Sequence, residues 1–363
     1  MKKILIKIGI QETLEIRGTM RIFTCLAVLI TAFFTVIGCT SCKKVPENQI
    51  FEKEMFAMDT TMQLKAYGPN ASKGLAACEK EINSLQAQLD VTQEDSDLSG
   101  INQTGKGTVS EEVGDMIFQA ITYYRGTEGM FDPTVYSLNK LWGFYDESYQ
   151  VPTSQEIREA LKTVNGDHLL YDAKTDSVVC EKNVKIDLGG IAKGFTSETC
   201  IKKLKEEGVT SAILNLGGNV QVLGKKPDGS LWNVGIANPD QPEETIAEVQ
   251  VKDACVITSG SYQRFFEKNG KKYHHIMDPK TGKPAESGLK SVTVITGNGT
   301  MGDALATAYF VMGKDKALEA WKEREGVVDI VFVEEDGTMT ITPGLEKNFK
   351  SDHKYKVAKG GGY

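Results

Sequence analysis

The sequence predicts an α+β fold: a single unit with a mixed, largely antiparallel sheet and flanking helices. From Phe51 onward, strand-like and helix-like patterns alternate without a proline-rich or low-complexity break. The order of these patterns is neither strict βαβ alternation nor all-β. No segment repeats with a period of 20–50 residues, which argues against a repeat architecture.

Residue periodicity predicts each element in turn, with a period of two for strands and 3.6 for helices. In the first part of the chain, the predicted strands are residues 62–67 and 178–186. The predicted helices are residues 72–89, 111–124, 154–163 and 194–207. A serine N-cap begins the third of these helices, and Gly208 ends the fourth.

The second part of the chain is richer in strand patterns. Val, Ile and Thr dominate the clearest of them, residues 291–296. The other predicted strands are residues 211–216, 220–223, 232–236, 247–251, 256–258, 272–277 and 327–333. One further helix is predicted over residues 301–312, because Gly313 is a typical helix stop.

Composition and charge narrow the class of protein. Of 363 residues, 40% are apolar and 25% are charged, which is ordinary for a globular protein. The 42 basic and 49 acidic side chains give a net charge of −7. Because nucleic-acid binding requires clustered Lys and Arg, we expect no nucleic-acid partner. The seven cysteines show no zinc-ligand spacing.

The N-terminus predicts a targeting segment. Residues 22–38 contain no charge, and Arg17 and Arg21 precede them, as in the hydrophobic region of a signal peptide. The run ends in VIGC at residues 36–39 and resembles a bacterial lipobox. We therefore predict a lipoprotein signal peptide over residues 1–38, an acylated Cys39 and a tether over 39–50. An uncleaved anchor helix and lipidation at Cys42 remain alternatives.

A glycine-rich segment before the 301–312 helix fits the dinucleotide fingerprint GxGxxG, as GNGTMG at residues 297–302. Asp303 follows at once and would place a carboxylate where the helix N-terminus must receive a pyrophosphate. The next strand also ends too far along the chain for the ribose-binding acid of that motif. These two observations argue against a Rossmann fold.

The same helix carries a candidate metal site. Asp303 and Thr307 are four residues apart, so both oxygens face one side of the helix. A carboxylate and a hydroxyl suit Mg²⁺, which shares its oxygen ligands with substrate phosphates. An aspartate stabilised by the helix dipole is the alternative explanation.

Three further motifs are candidates for chemistry. DLGGIAKG at residues 187–194 combines glycines that permit close backbone approach with a positive charge at Lys193. NLGGN at 215–219 is either a second such loop or only a hairpin turn. HHIMDP at 274–279 places two adjacent histidines on a predicted strand, so their side chains point to opposite faces.

Taken together, these motifs resemble the FAD:protein FMN transferases, the ApbE family, from about Met55 to about Gly337. The matching segments, in chain order, are MDTTMQLKAYG, DSDLSGIN, FDPTVYSLNKLWGF, KIDLGGIAKGF, LNLGGNV, ITSGSYQRFFEKNGKKYHHIMDPKTGKP and SVTVITGNGTMGDALATAYFVMG. The resemblance implies an enzyme that binds FAD with Mg²⁺ at its pyrophosphate. Such enzymes move FMN onto a Ser or Thr hydroxyl of an acceptor protein and release AMP.

The resemblance also implies roles for individual residues. Asp303 and Thr307 match metal-binding side chains, and Gly190 matches a position whose carbonyl completes the metal site. His275 matches the histidine that activates the acceptor hydroxyl. The positions that match FAD-contacting residues are Met58, Asp132, Asp187, Lys193 and Met277. The flavin transferase domain is predicted over residues 51–350.

Two departures from the family pattern leave alternatives open. Asp59 stands where the family usually has glycine, and residues 89–92 read LDVT where the family commonly has Met-Ser-Thr followed by an aromatic residue. Loss of an aromatic contact to flavin would favour hydrolysis of FAD to FMN and AMP, so an FAD pyrophosphatase is the main alternative. A flavin-binding lipoprotein without turnover is the third. The expected partners are a membrane redox subunit as acceptor and a bacterial membrane, with the lipid-anchored enzyme on its extracytoplasmic side.

Overall fold

The protein's structure, a computed structural model, describes residues 45–360. The predicted signal peptide at 1–38, the predicted lipidation site at Cys39 and residues 40–44 of the tether lie outside the described residues. The first strand of the fold begins at Ile50. Within residues 45–360, no helix is both long and apolar enough to cross a membrane.

Nineteen strands and eight α-helices make up the described part of the chain. The strands are β1 (Ile50–Ala57), β2 (Thr60–Tyr67), β3 (Lys106–Thr108), β4 (Leu169–Asp172), β5 (Ser177–Cys180), β6 (Ala212–Leu216), β7 (Asn219–Leu223), β8 (Trp232–Asn238), β9 (Gln241–Val251), β10 (Ala254–Gly260), β11 (Phe265–Lys268), β12 (Lys271–His274), β13 (Met277–Asp278), β14 (Lys283–Pro284), β15 (Leu289–Thr296), β16 (Val328–Glu334), β17 (Met339–Ile341), β18 (Phe349–Lys350) and β19 (Tyr355–Val357). The helices are α1 (Ala71–Leu89), α2 (Asp97–Thr104), α3 (Glu111–Gly126), α4 (Tyr136–Leu141), α5 (Ser154–Leu161), α6 (Gly189–Glu206), α7 (Gly299–Met312) and α8 (Lys314–Lys322).

A nine-stranded sheet organises the fold, in the order β1-β2-β6-β7-β10-β15-β16-β17-β19. Every neighbouring pair is antiparallel except β17 and β19, which are parallel. This arrangement confirms the predicted mixed, largely antiparallel sheet. The last strand of the order lies beyond residue 350, where the predicted domain ends.

Two layers cover the large sheet. Helices α1, α6, α7 and α8 pack against it through two apolar clusters, one near β2 and β6 and the other near β10, β15 and β16. A small sheet of β18, β9 and β8 contributes a third cluster, with side chains of β7, β10, β15 and β16. A fourth cluster joins α2 and α3 to α6 and α7. Helices α6 and α7 therefore lie at the centre of the molecule.

The predicted strand over residues 178–186 is wrong beyond Cys180. β5 ends there, and residues 181–183 form a 3₁₀ turn. Lys182 and Asn183 have φ values of 49° and 62°, a left-handed conformation that no strand contains. The following residues instead lead into α6, which begins at Gly189 rather than at the predicted residue 194. The DLGGIAKG motif is therefore mostly helix, with Gly190 and Lys193 in its first turns.

The predicted strand over residues 272–277 is also interrupted. β12 ends at His274, and a separate short strand starts at Met277. The NLGGN motif is the hairpin turn between β6 and β7, as one of the two sequence interpretations proposed. Gly217 and Gly218 both have positive φ there, which suits a two-residue hairpin turn.

Candidate active site at the crossing of two helices

Two glycines allow α6 and α7 to touch along their backbones. A Cβ atom added at Gly194 would lie 2.2 Å from the carbonyl oxygen of Gly299 and 2.7 Å from the Cβ of Asp303. A Cβ added at Gly299 would lie 2.5 Å from the carbonyl oxygen of Gly194. All three distances are far below van der Waals contact, so only glycine fits at residues 194 and 299. This close approach brings the start of α6 against the first turns of α7.

A network around Glu198 holds the start of α7 in place. Its carboxylate accepts hydrogen bonds from the Thr300 amide at 3.2 Å and the Thr300 hydroxyl at 2.7 Å, and from the Asn298 amide at 3.2 Å. Asn298 is also the N-cap of α7, because its side chain accepts from the Met301 amide. A carboxylate close to a helix N-terminus is favoured by the helix dipole. The position of α7 on α6 is therefore fixed by polar bonds as well as by packing.

The crossing places the three predicted metal ligands side by side. Asp303 is 5% exposed, and its Oδ2 accepts a hydrogen bond from the Gly194 amide at 2.8 Å. A Cβ added at Gly190 would lie 3.9 Å from the Oγ1 of Thr307. In a regular helix, the Gly194 amide would donate to the Gly190 carbonyl. Because the Asp303 carboxylate also accepts from that amide, the hydrogen bond from the Gly194 amide to the Gly190 carbonyl is weakened.

One buried carboxylate and two hydroxyls provide side-chain oxygen atoms at the crossing. Burial raises the pKa of the Asp303 carboxyl above its ordinary value, against the opposing effects of Lys193 and the Gly194 amide. Ser259 and Thr307 lie 3.2 Å apart through their hydroxyl oxygens. No three His, Cys, Asp or Glu side chains cluster within residues 45–360, so a metal site here has to use hydroxyl and carbonyl oxygens. Hard cations such as Mg²⁺ accept such ligands.

His275 is held by the main chain of Arg264. Its main-chain amide donates to the Arg264 carbonyl at 3.1 Å, and its Nδ1 lies 3.2 Å from the same oxygen. Burial, followed by the charge of Arg264, lowers the pKa of His275 to about 3, and Lys193 also contributes. The imidazole is therefore neutral across the physiological pH range.

His274 is directed into the protein instead. Its ring is 7% exposed, contacts Phe310 edge-on at 5.4 Å and bonds the Ala285 carbonyl through Nε2 at 3.1 Å. Burial lowers the pKa of His274 to about 4. The two adjacent histidines thus point into different environments, as the sequence predicted, although β12 ends between them.

The predicted FAD-contacting residues are distributed around α6. Met58 occupies the β1–β2 turn, with its sulfur 3.9 Å from the Thr196 hydroxyl of α6. Asp187 precedes α6 and accepts from the Gly189 amide at 2.7 Å, from Asn139 at 3.4 Å and from the Tyr145 hydroxyl. These two residues lie close to the start and middle of the same helix that carries Lys193.

The other two predicted FAD contacts have partners within the protein. Asp132 is 8% exposed, and one of its oxygens accepts from both the amide and the hydroxyl of Thr134, at 2.8 and 2.6 Å. Met277 is 5% exposed and packs in an aromatic cluster with Trp142 and Phe144. In the structure, both side chains are buried, and these contacts are made within the protein itself.

Sequence reasoning gave no role to two residues that the structure places here. Arg264 contacts His275, and Tyr145 bonds to Asp187 and stacks on Tyr136 with ring centroids 5.0 Å apart. Arg264 lies inside a segment that resembles the family and Tyr145 directly follows one, but neither has a spacing that predicts chemistry. Only the folded chain brings them to the site.

Comparisons with known proteins agree with this geometry. The model of the ApbE family matches residues 58–332. The FAD:protein FMN transferase of Treponema pallidum is 31% identical over 342 residues, covering 88% of this chain and 93% of the relative. That of Escherichia coli K12 is 30% identical over 348 residues, covering 92% and 99%.

A solved structure extends the similarity to the fold. The ApbE protein of Thermotoga maritima superposes with a TM-score of 0.78 at 33% identity, covering 83% of this chain and 99% of that protein. Together with the sequence comparisons, which span nearly the whole of each relative, this similarity reaches well beyond the site residues. The chain belongs to the ApbE family.

Proposed function

We propose that this protein is a Mg²⁺-dependent FAD:protein FMN transferase. The helix crossing supports the proposal most strongly, because it gathers Asp303, Thr307 and Gly190 at one point, with Lys193 close enough for its charge to lower the pKa of both Asp303 and His275. A relative of the same family and similar length carries that activity in its name. In the reaction, the acceptor's Ser or Thr oxygen forms a bond to the FMN phosphorus, and the phosphorus–oxygen bond to AMP breaks.

Each part of the site has a task in this reaction. The carboxylate of Asp303, the hydroxyl of Thr307 and the carbonyl of Gly190 would hold the cation. When bound to the pyrophosphate, Mg²⁺ neutralises the charge that develops on the departing AMP. Lys193 adds a positive charge toward the same phosphates. The Nε2 of His275 accepts the proton of the acceptor hydroxyl, which is otherwise a poor nucleophile.

The proposal extends to the partner and the location of the enzyme. The uncharged run at 22–38 and the VIGC sequence support a signal peptide and a diacylglycerol-modified Cys39. The protein would then be anchored on the extracytoplasmic side of a bacterial membrane. A membrane redox subunit that carries the modified Ser or Thr is the acceptor that such a location favours.

Hydrolysis of FAD to FMN and AMP is the second candidate. The observation that favours it is the LDVT segment after α1, where the structure packs Leu89 and Val91 against the cluster around α3 and α6. This segment offers apolar contact but no aromatic ring for a flavin. A weakly held flavin phosphate would be more open to attack by water.

One experiment separates the candidates. The protein is incubated with FAD, Mg²⁺ and an acceptor protein, and AMP and flavin fluorescence on the denatured acceptor are measured together. We expect AMP and labelled acceptor in equal amounts. AMP with free FMN identifies the pyrophosphatase, and neither product identifies a flavin-binding protein. An acceptor whose target Thr is replaced by Val is the matched control.

A further inference from the structure

We propose that Arg264 is a positioning residue for His275, holding the imidazole so that Nε2 is the nitrogen presented to the acceptor hydroxyl. The proposal rests on the proposed transfer reaction and adds a residue to its machinery. Three features of the structure support it: the bonds of the Arg264 carbonyl, the anchoring of its guanidinium and the charges around the ring.

The main chain of Arg264 selects the tautomer of His275. Its carbonyl oxygen lies 3.1 Å from the His275 amide and 3.2 Å from the His275 Nδ1. A carbonyl oxygen only accepts hydrogen bonds, so the neutral ring has to carry its proton on Nδ1. The lone pair is then on Nε2, which is the nitrogen that a general base requires to be free.

The side chain of Arg264 fixes the position of that carbonyl. Its Nη2 donates to the Phe144 carbonyl at 2.6 Å, and its Nη1 lies 3.7 Å from the Oδ2 of Asp59. The Asp59 carboxylate is 80% exposed, and ion pairs of this kind contribute little. The bond to Phe144 is therefore the main anchor, because a charged donor strengthens a hydrogen bond.

The residue that anchors the guanidinium, Phe144, also packs against the imidazole of His275. Phe144 is 2% exposed, and its ring meets the His275 ring edge-on with centroids 6.4 Å apart. Arg264 thus contacts the imidazole of His275 through its own carbonyl and also binds Phe144, whose ring packs against the same imidazole. A change in its side chain would loosen both contacts at once.

The charged groups that face His275 are cationic. They are Arg264 from the segment before β11, Lys193 from α6 and the neighbouring His274 when it is protonated. The carboxylate of Asp59 lies on the far side of the guanidinium. Replacing Arg264 by a neutral residue removes one of these positive charges, so the ring would bind a proton more readily.

The test uses NMR of ¹⁵N-labelled imidazoles in the full chain, with His275→Gln to assign the signals. In the wild type we expect a proton on Nδ1, a bare Nε2 and no titration between about pH 5 and 8. Arg264→Met keeps side-chain length but removes the charge and the donor, and we expect mixed tautomers and a titration of His275 at a higher pH than in the wild type, because burial is then less reinforced by a positive charge. Arg264→Lys keeps the charge, and we expect mixed tautomers without that titration.

Kinetics provide the second readout. For Arg264→Met, we expect kcat for FMN transfer to fall by about 10²-fold, the cost of a misplacement on the order of 1 Å, with a smaller change in KM for FAD. Arg158→Met, on the exposed surface of α5, is the matched control and should behave as the wild type.

A wild-type His275 with its proton on Nε2 would overturn the proposal. So would an Arg264→Met variant with the wild-type spectrum and the wild-type kcat. If the protein releases AMP but labels no acceptor, the proposed function fails, whereas the NMR result still decides the role of Arg264.

Discussion

A single methyl group at Gly194 should disable the site by separating the two helices that form it. The Cβ of Gly194→Ala would meet the Gly299 carbonyl oxygen at 2.2 Å, and neither partner is a flexible side chain. Relief of this clash requires α6 and α7 to move apart by roughly 1 Å. The bond from the Gly194 amide to Asp303, now 2.8 Å, would then exceed hydrogen-bonding distance.

The magnitude follows from these two losses. Overpacking of a well-packed contact costs about 1–3 kcal/mol. Loss of a hydrogen bond to a buried carboxylate adds about 1.5–3 kcal/mol. We therefore expect Gly194→Ala to lower the free energy of unfolding by about 2.5–6 kcal/mol, which is a large fraction of a typical total of about 5–15 kcal/mol.

Denaturant unfolding and Mg²⁺-dependent FAD binding are the two measurements. Gly100→Ala is the matched control, because Gly100 lies in α2 and a Cβ there would meet nothing within 4 Å. The control should gain about 0.5–1 kcal/mol, the usual effect of replacing glycine by alanine in a helix. If Gly194→Ala were as stable as the wild type and bound FAD with the same Mg²⁺ dependence, the glycine crossing would not be what forms the site.

The remaining predictions concern the carboxylate and the histidines. Asp303→Ala should abolish AMP release at all Mg²⁺ concentrations, and Thr307→Val should only raise the Mg²⁺ needed, since a hydroxyl is a neutral ligand; full turnover of Asp303→Ala at low Mg²⁺ would contradict the metal assignment. His275→Ala should bind FAD normally but lose transfer by about 10²–10⁴-fold, measured as acceptor fluorescence, and wild-type transfer would exclude it as the base. The pKa of His274 is about 4 in the folded protein and near 6.5 when unfolded, so its contribution to stability is complete above pH 6.5 and is lost as the pH falls toward 4. His274→Gln should remove about 3 kcal/mol of that acid-dependent loss in denaturant titrations, and an unchanged pH dependence would refute this reasoning.

The sequence predicted those parts of the fold in which local pattern and tertiary environment agree. β15 was recognised from its Val, Ile and Thr content because it is buried on both faces, with six of its eight residues in an unbroken buried run. The strand prediction is wrong beyond Cys180 because Lys182 and Asn183 adopt a left-handed backbone conformation in a turn, which hydrophobic periodicity does not predict.

The residues of the site also divide into those that the sequence could bring together and those that it could not. Asp303 and Thr307 could be paired from the sequence, because four residues along one helix define a common face. Their proximity to Gly190 could not be predicted from the sequence, since it depends on the contact between Gly194 and Gly299, which are more than a hundred residues apart in the chain. Arg264 was missed for the same reason, as its contacts to Phe144 and His275 are made only in the folded protein.

The charges of the site favour one order of events. In the free protein, burial lowers the pKa of His275 to about 3, with smaller contributions from the charges of Arg264 and Lys193, and a base that weak takes a hydroxyl proton poorly. Bound FAD would bring the negative charges of its pyrophosphate next to Lys193. Opposite charges favour the protonated form of a base, so the pKa of His275 rises when that cationic field is neutralised. With His275 as the base, the acceptor hydroxyl would be activated more readily at a site already loaded with FAD than at an empty one.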